Sequence, residues 1–162
     1  MKRLVAILVI FLAAAFAAPA EDIDQLPVTA TFVVSGGYWQ GGVDGVSGAA
    51  SGSNGATAAV NGRGYYKLVA IRQPDRTALI YLQMIAAEES GPRLVESVEL
   101  EEFTAIKPFV TGIQPESTSG VSDTPGFMAT VYLRTDPARN PVEEWTVLID
   151  ELGDIRVERA SN

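Results

Sequence analysis

Any chemistry done by this 162-residue chain must come from carboxylates, lysine, tyrosine or a borrowed group, because the sequence contains no histidine and no cysteine. That absence removes the Ser-His-Asp triad, thiolate nucleophiles, imidazole general bases, imidazole or thiolate zinc sites and ordinary haem ligation. The densest run of carboxylates is Glu96, Glu99, Glu101 and Glu102. Paired carboxylates divide acid and nucleophile roles in glycoside hydrolysis, or hold calcium. On a strand, Glu99 and Glu101 would share one face about 7 Å apart, too far to hold a cation unless another strand adds ligands. A solvated strand face is therefore the expectation, and the same holds for Glu88-Glu89 and Glu143-Glu144. A carboxylate-based hydrolase would need two carboxyl groups across one cleft at roughly 5 to 10 Å, drawn from Asp44, Glu96, Glu99, Glu101, Asp123 and Asp150. Lys67 and Lys107 are the lysines beyond position 2, and Thr104-x-x-Lys107 lacks the serine of a serine–lysine dyad. No catalytic residue, metal site or cofactor is assigned.

The second feature is the stretch SGGYWQGGVDGVSGAASGSNG at residues 35–55. A phosphate-cradling Walker loop needs a lysine, and this stretch has no basic residue. The dinucleotide fingerprint must lead into a helix, whereas this run leads into a β segment. A nucleophile elbow needs G-x-S-x-G and a histidine base, and a calcium nonapeptide array needs repeated aspartate. A mobile Gly-rich loop at about 36–56 is the plain reading, since eight of the fifteen glycines lie there and Gly/Ser chains resist ordering. The functional reading uses the aromatics: Tyr38 and Trp39 as a flat platform for a sugar or peptide, and, as a second place suited to a polar ligand, Tyr65 and Tyr66 after Gly62-Arg63-Gly64 with its positive charge. These five are the candidate ligand-binding residues. Adjacent strand residues face opposite ways, so one of Tyr65 and Tyr66 should be buried.

The elements that would position these groups are strands. Period-two alternation runs through residues 28–34, 58–72, 77–87, 94–103, 105–114 and 127–134, and again around Trp145 and Ile155. Gln73-Pro74-Asp75-Arg76 reads as a tight turn, making 58–72 and 77–87 a hairpin. Residues 77–87 are apolar on both faces, which predicts a strand that is central or covered on both sides. A short helix over 95–103 competes with the strand reading there. About eight strands without a long helix predict an all-β, single antiparallel sandwich or barrel.

The chain opens MKRLVAILVIFLAAAFAAPAED: two basic residues, fifteen apolar residues from Leu4 to Ala18, then Ala18-Pro19-Ala20. That is the pattern of a secretory signal peptide cleaved near Ala20, too short for the roughly 20 apolar residues of a spanning helix. The expectation is a periplasmic or secreted domain over residues 21–162. Without Lys2 and Arg3 the balance is 10 basic against 20 acidic residues, a net charge of −10. Such a surface disfavours nucleic acid and anionic lipid, whose main attraction is to basic groups. The function expected is non-enzymatic binding of a protein or envelope component through edge strands or loops, with no nucleic acid and no membrane insertion of the mature chain. The alternatives are a carrier of apolar small molecules in a barrel cavity, and the carboxylate hydrolase above.

Between Gln40 and Ala56 only Val43 and Val46 are apolar and larger than alanine. Burying both contributes about 3 to 5 kcal/mol, against roughly 17 to 30 kcal/mol to fix the backbone of the segment. Limited proteolysis is expected to cut within residues 40–56 first, and a short Gly-Ser replacement of 41–55 to shift Tm by only a few degrees.

Overall fold

Alternating apolar residues place one row of side chains per strand on a common inner surface, and this pattern yields eight strands and one short helix among the described residues. In the computed structural model these are residues 26–41, 62–116, 124–136, 138 and 141–160. The strands are β1 (Ala30–Gln40), β2 (Arg63–Arg72), β3 (Ala78–Glu88), β4 (Gly91–Glu99), β5 (Phe109–Pro115), β6 (Phe127–Arg134), β7 (Glu143–Ile149) and β8 (Ile155–Arg159), with α1 (Glu101–Ile106) between β4 and β5. They form two antiparallel four-stranded sheets, β1-β2-β3-β4 and β5-β6-β7-β8. The sheets share no strand, so the barrel alternative is corrected to two open sheets. The proposed signal peptide at 1–20 and the Gly-rich loop beyond Gly41 lie outside the described residues.

The space between the sheets is filled. From the first sheet come Leu68, Ala70, Ile80, Leu82 and Met84; from the second come Ala129, Val131, Leu133, Val147 and Ile149, all buried. A cavity carrier needs an empty interior, and this one is packed with aliphatic side chains. β3 is internal to its sheet, as its two apolar faces require.

The β2–β3 turn has the chemistry its sequence promises. Asp75 accepts hydrogen bonds from the Thr77 backbone N–H at 3.0 Å and the Thr77 hydroxyl at 2.6 Å, and Gln73 N–H donates to the Thr77 carbonyl at 2.8 Å. Residues 94–103 divide between the two competing readings: strand to Glu99, helix from Glu101. The division follows from Leu100 and Phe103, three residues apart and both buried, which a helical turn puts on one face. Leu100 N–H donates to the Ile80 carbonyl and Ala78 N–H to the Pro108 carbonyl, each at 2.8 Å, tying the crossing to β3. The strand expected over 105–114 accordingly starts later, at Phe109.

The first strand also differs from its expected end at Val34: it continues through Gly36 and Gly37 to Gln40. Gly37, at φ 58°, lies where a Cβ would strike the Gly126 carbonyl and come within 2.8 Å of the Phe127 side chain. That close approach lets Tyr38 exchange two backbone hydrogen bonds with Gly126, at 3.1 and 2.8 Å. The next residue, Trp39, lies over Gly64 and donates its indole N–H to the Ile85 carbonyl at 3.2 Å.

Gly64 is the position where a methyl group has nowhere to go, since a Cβ would meet both the Ile85 carbonyl and the Trp39 ring. Gly64→Ala is expected to destabilise by about 2 to 3 kcal/mol, as overpacking does. Gly112, where a Cβ would find only Tyr132 at 3.5 Å, should accept alanine with a change of about 0.5 kcal/mol or less. Urea unfolding of the two variants measures both.

Candidate functional site

The five aromatic and basic candidates do not form one surface. Trp39 and Tyr66 are each about 1% exposed and belong to the core. Tyr66 faces Phe127, ring centroids 6.2 Å apart, while Tyr65 is half-buried on the opposite face of the sheet, opposite Ile85. Tyr38 is half-buried at the seam with Gly126, and Arg63 is exposed at the start of β2. Alternation along β2 separates Tyr65 from Tyr66, and the indole of Trp39 is committed to the Ile85 carbonyl.

The carboxylates are also engaged. Glu99 accepts the Tyr81 hydroxyl at 3.2 Å and the Thr104 hydroxyl at 2.7 Å, joining β3, β4 and α1. Glu101 is exposed in the first turn of α1 and not on the strand face of Glu99. Asp44 and Asp123 lie outside the described residues. Among the described residues, no group of three acidic side chains is placed to hold a metal ion. A hollow of about 330 Å³ contains Glu143, whose oxygens meet the Thr135 hydroxyl at 2.6 Å and the Arg159 guanidinium at 3.3 Å. The Thr135 bond first, then the Arg159 charge, hold the Glu143 carboxyl below the usual range.

The larger concavity, about 540 Å³, opens where the seam meets the β7–β8 turn. Its apolar walls come from Pro115, Phe127, Met128, Leu148 and Leu152, and its carboxylates are Glu116, Asp150 and Glu151. Met128 and Leu148 are cross-strand partners on the outward face of the second sheet. Leu152 stands 70% exposed at the turn tip. The turn is held by Asp150, which accepts the backbone N–H of Leu152 at 2.9 Å and of Asp154 at 3.0 Å. Gly153 at φ 88° completes it. The groove lies outside the five candidate residues, around Pro115, Gly126 and the 151–154 turn. The available signal was Leu152, a large apolar residue in a turn, and Met128, an apolar residue on the otherwise polar side of β6.

No protein-family model, curated protein or solved structure matches this chain.

Asp150 also reaches inward electrostatically. The Tyr66 phenol is pushed up to about 12, chiefly by burial and further by the Asp150 charge. The folded protein therefore holds this proton more tightly than the unfolded chain, whose tyrosines titrate near 10. The resulting stability is complete below pH 10 and is lost as pH rises through 12. In an absorbance titration of the five tyrosines, Tyr66 should ionise last, with Tyr81 also raised, first by burial and then by the Glu99 charge. Tyr66→Phe should remove that late step and make stability less sensitive to pH over the same interval.

Proposed function

We propose that this chain is an exported, non-enzymatic binding domain of the periplasm or secreted space, and that it captures a protein partner in the groove between the seam and the β7–β8 turn. Export rests on the N-terminal pattern of basic residues, apolar run and small-residue cleavage site. A non-enzymatic role is supported by the histidine- and cysteine-free sequence and by the structural duties of Glu99 and Glu143.

The observation that carries the reading is the exposure of Leu152 and Met128, 70% and 37%, beside an apolar-walled concavity. An exposed apolar group beside a preformed hollow gains free energy when a partner covers it, on the order of 1.5 to 3 kcal/mol for a fully buried Leu or Met. Single exposed apolar residues are ordinary; exposed apolar residues around one groove mark an interaction site.

The test is retention of an envelope protein by the immobilised mature domain, compared with a Leu152→Ser/Met128→Ser double variant. The pair of substitutions should weaken retention at least tenfold while leaving Tm within a few degrees. The same change at Val28, 98% exposed and away from the groove, should have no effect. A folded wild-type domain that retains nothing above background would overturn the reading.

A further inference from the structure

The chemistry of the groove narrows what enters it. Three of its side chains are carboxylates, Glu116, Asp150 and Glu151, and none is basic. Glu116 and Glu151 are exposed at the rim, whereas Asp150 is half-buried and spends one oxygen on the turn. Between them lie the apolar walls of Pro115, Phe127, Met128, Leu148 and Leu152. An anionic ligand would meet uncompensated repulsion, and a purely apolar one would leave the rim carboxylates partly desolvated without a counter-charge.

From this juxtaposition we infer that the groove takes a cationic, apolar peptide segment, one in which lysine or arginine alternates with bulky aliphatic or aromatic residues; the inference rests on the groove being the binding surface. The apolar side chains of the segment cover Met128, Leu148 and Leu152, and its ammonium or guanidinium groups lie against Glu116 and Glu151. A passing segment of polypeptide suits the geometry better than a small molecule. Small ligands are held in clefts that cover 70 to 90% of their surface, whereas this groove is open to solvent and assembled from separate stretches of chain around Gly37, Pro115, Phe127 and Leu152. The net charge of −10 outside the N-terminal basic pair adds a long-range field that raises the encounter rate with cationic partners.

The experiment is fluorescence anisotropy with three labelled five-residue peptides: Lys-Leu-Lys-Phe-Lys, its Glu-Leu-Glu-Phe-Glu counterpart and the neutral Ser-Leu-Ser-Phe-Ser. The full mature protein should bind the lysine peptide at least tenfold more tightly than the serine peptide, with no detectable binding of the glutamate peptide. Raising salt from about 50 to 500 mM should remove most of that preference, because rim charges are screened. Glu116→Gln/Glu151→Gln should weaken the lysine peptide by about threefold to tenfold, the scale of two exposed ion pairs, and leave the serine peptide unchanged. Equal binding of all three peptides, abolished by Leu152→Ser and indifferent to Glu116→Gln/Glu151→Gln, would overturn the charge preference and leave the groove reading standing. No binding of any peptide, with no amide chemical-shift change at residues 126–128 or 148–152, would overturn both.

Discussion

Two sheets that share no strand must be held face to face by something other than strand pairing, and in a chain without cysteine that something is side-chain packing. The interlayer space is filled by aliphatic residues from both sheets, with Leu100 and Phe103 contributed by the crossing segment at the start of α1. Packing alone is non-directional, so the relative placement of the sheets needs a geometric device. The seam between Gly37-Tyr38 and Gly126 is one: it brings the backbone of β1 against the start of β6, which is possible only because Gly37 carries no side chain. The hydrogen bonds of Leu100 with Ile80 and of Ala78 with Pro108 are another, fixing where the chain leaves the first sheet.

The seam and the groove are products of one arrangement. Holding β1 against Gly126 presses Gly36 onto the Phe127 ring, where a Cβ would come within 3.1 Å, and directs Tyr66 toward the same ring. Gly126 in turn sits under the β7–β8 turn, close enough that a Cβ would meet the Ile149 carbonyl at 2.5 Å. Three backbones converge there, from β1, β6 and β7. Side chains flanking such a convergence splay apart, and the space left between Pro115, Met128, Leu148 and Leu152 is the groove. The same crowding buries Tyr66 near Asp150, which links the charge of a groove residue to the ionisation of a core phenol.

Much of this was legible in the sequence where local chemistry decides the outcome. Pro74 and Asp75 specify the β2–β3 turn, and the alternation of Tyr66, Leu68 and Ala70 with Tyr65, Lys67 and Val69 specifies which face of β2 is buried. The residue types of Tyr38 and Trp39 could not reveal their roles, because those roles depend on partners far along the chain: Gly126 for Tyr38, Gly64 and Ile85 for Trp39. Gly36 and Gly37 read as slack when counted with their neighbours, and Gly64 only as a flank of the tyrosine pair. In the fold they are close-approach positions, a distinction that composition does not carry. The groove was illegible for the same reason, since its apolar walls come from separate stretches at Pro115, Phe127 to Met128 and Leu148 to Leu152, with Gly37 added from the other sheet.

The edges of the sheets bear on where a partner can bind. An unpaired edge strand is a template for another chain, and proteins blunt such edges with bulges, proline, charge or brevity. Register shifts that add a residue fall in β1 at Thr31, in β4 at Val95 and in β5 at Thr111, and each of these is an edge strand. β4 also carries Pro92, and β5 ends in Pro115. The fourth edge, β8, is five residues long and includes Arg156, Glu158 and Arg159. A bulged or short charged edge offers a poor ladder to an incoming strand. Strand addition is thus disfavoured at all four edges, while the apolar walls between the seam and the β7–β8 turn stay open. The fold blunts its backbone edges and leaves side-chain surface available at one corner, so selectivity at that corner rests on shape and rim charge, with little share from backbone pairing.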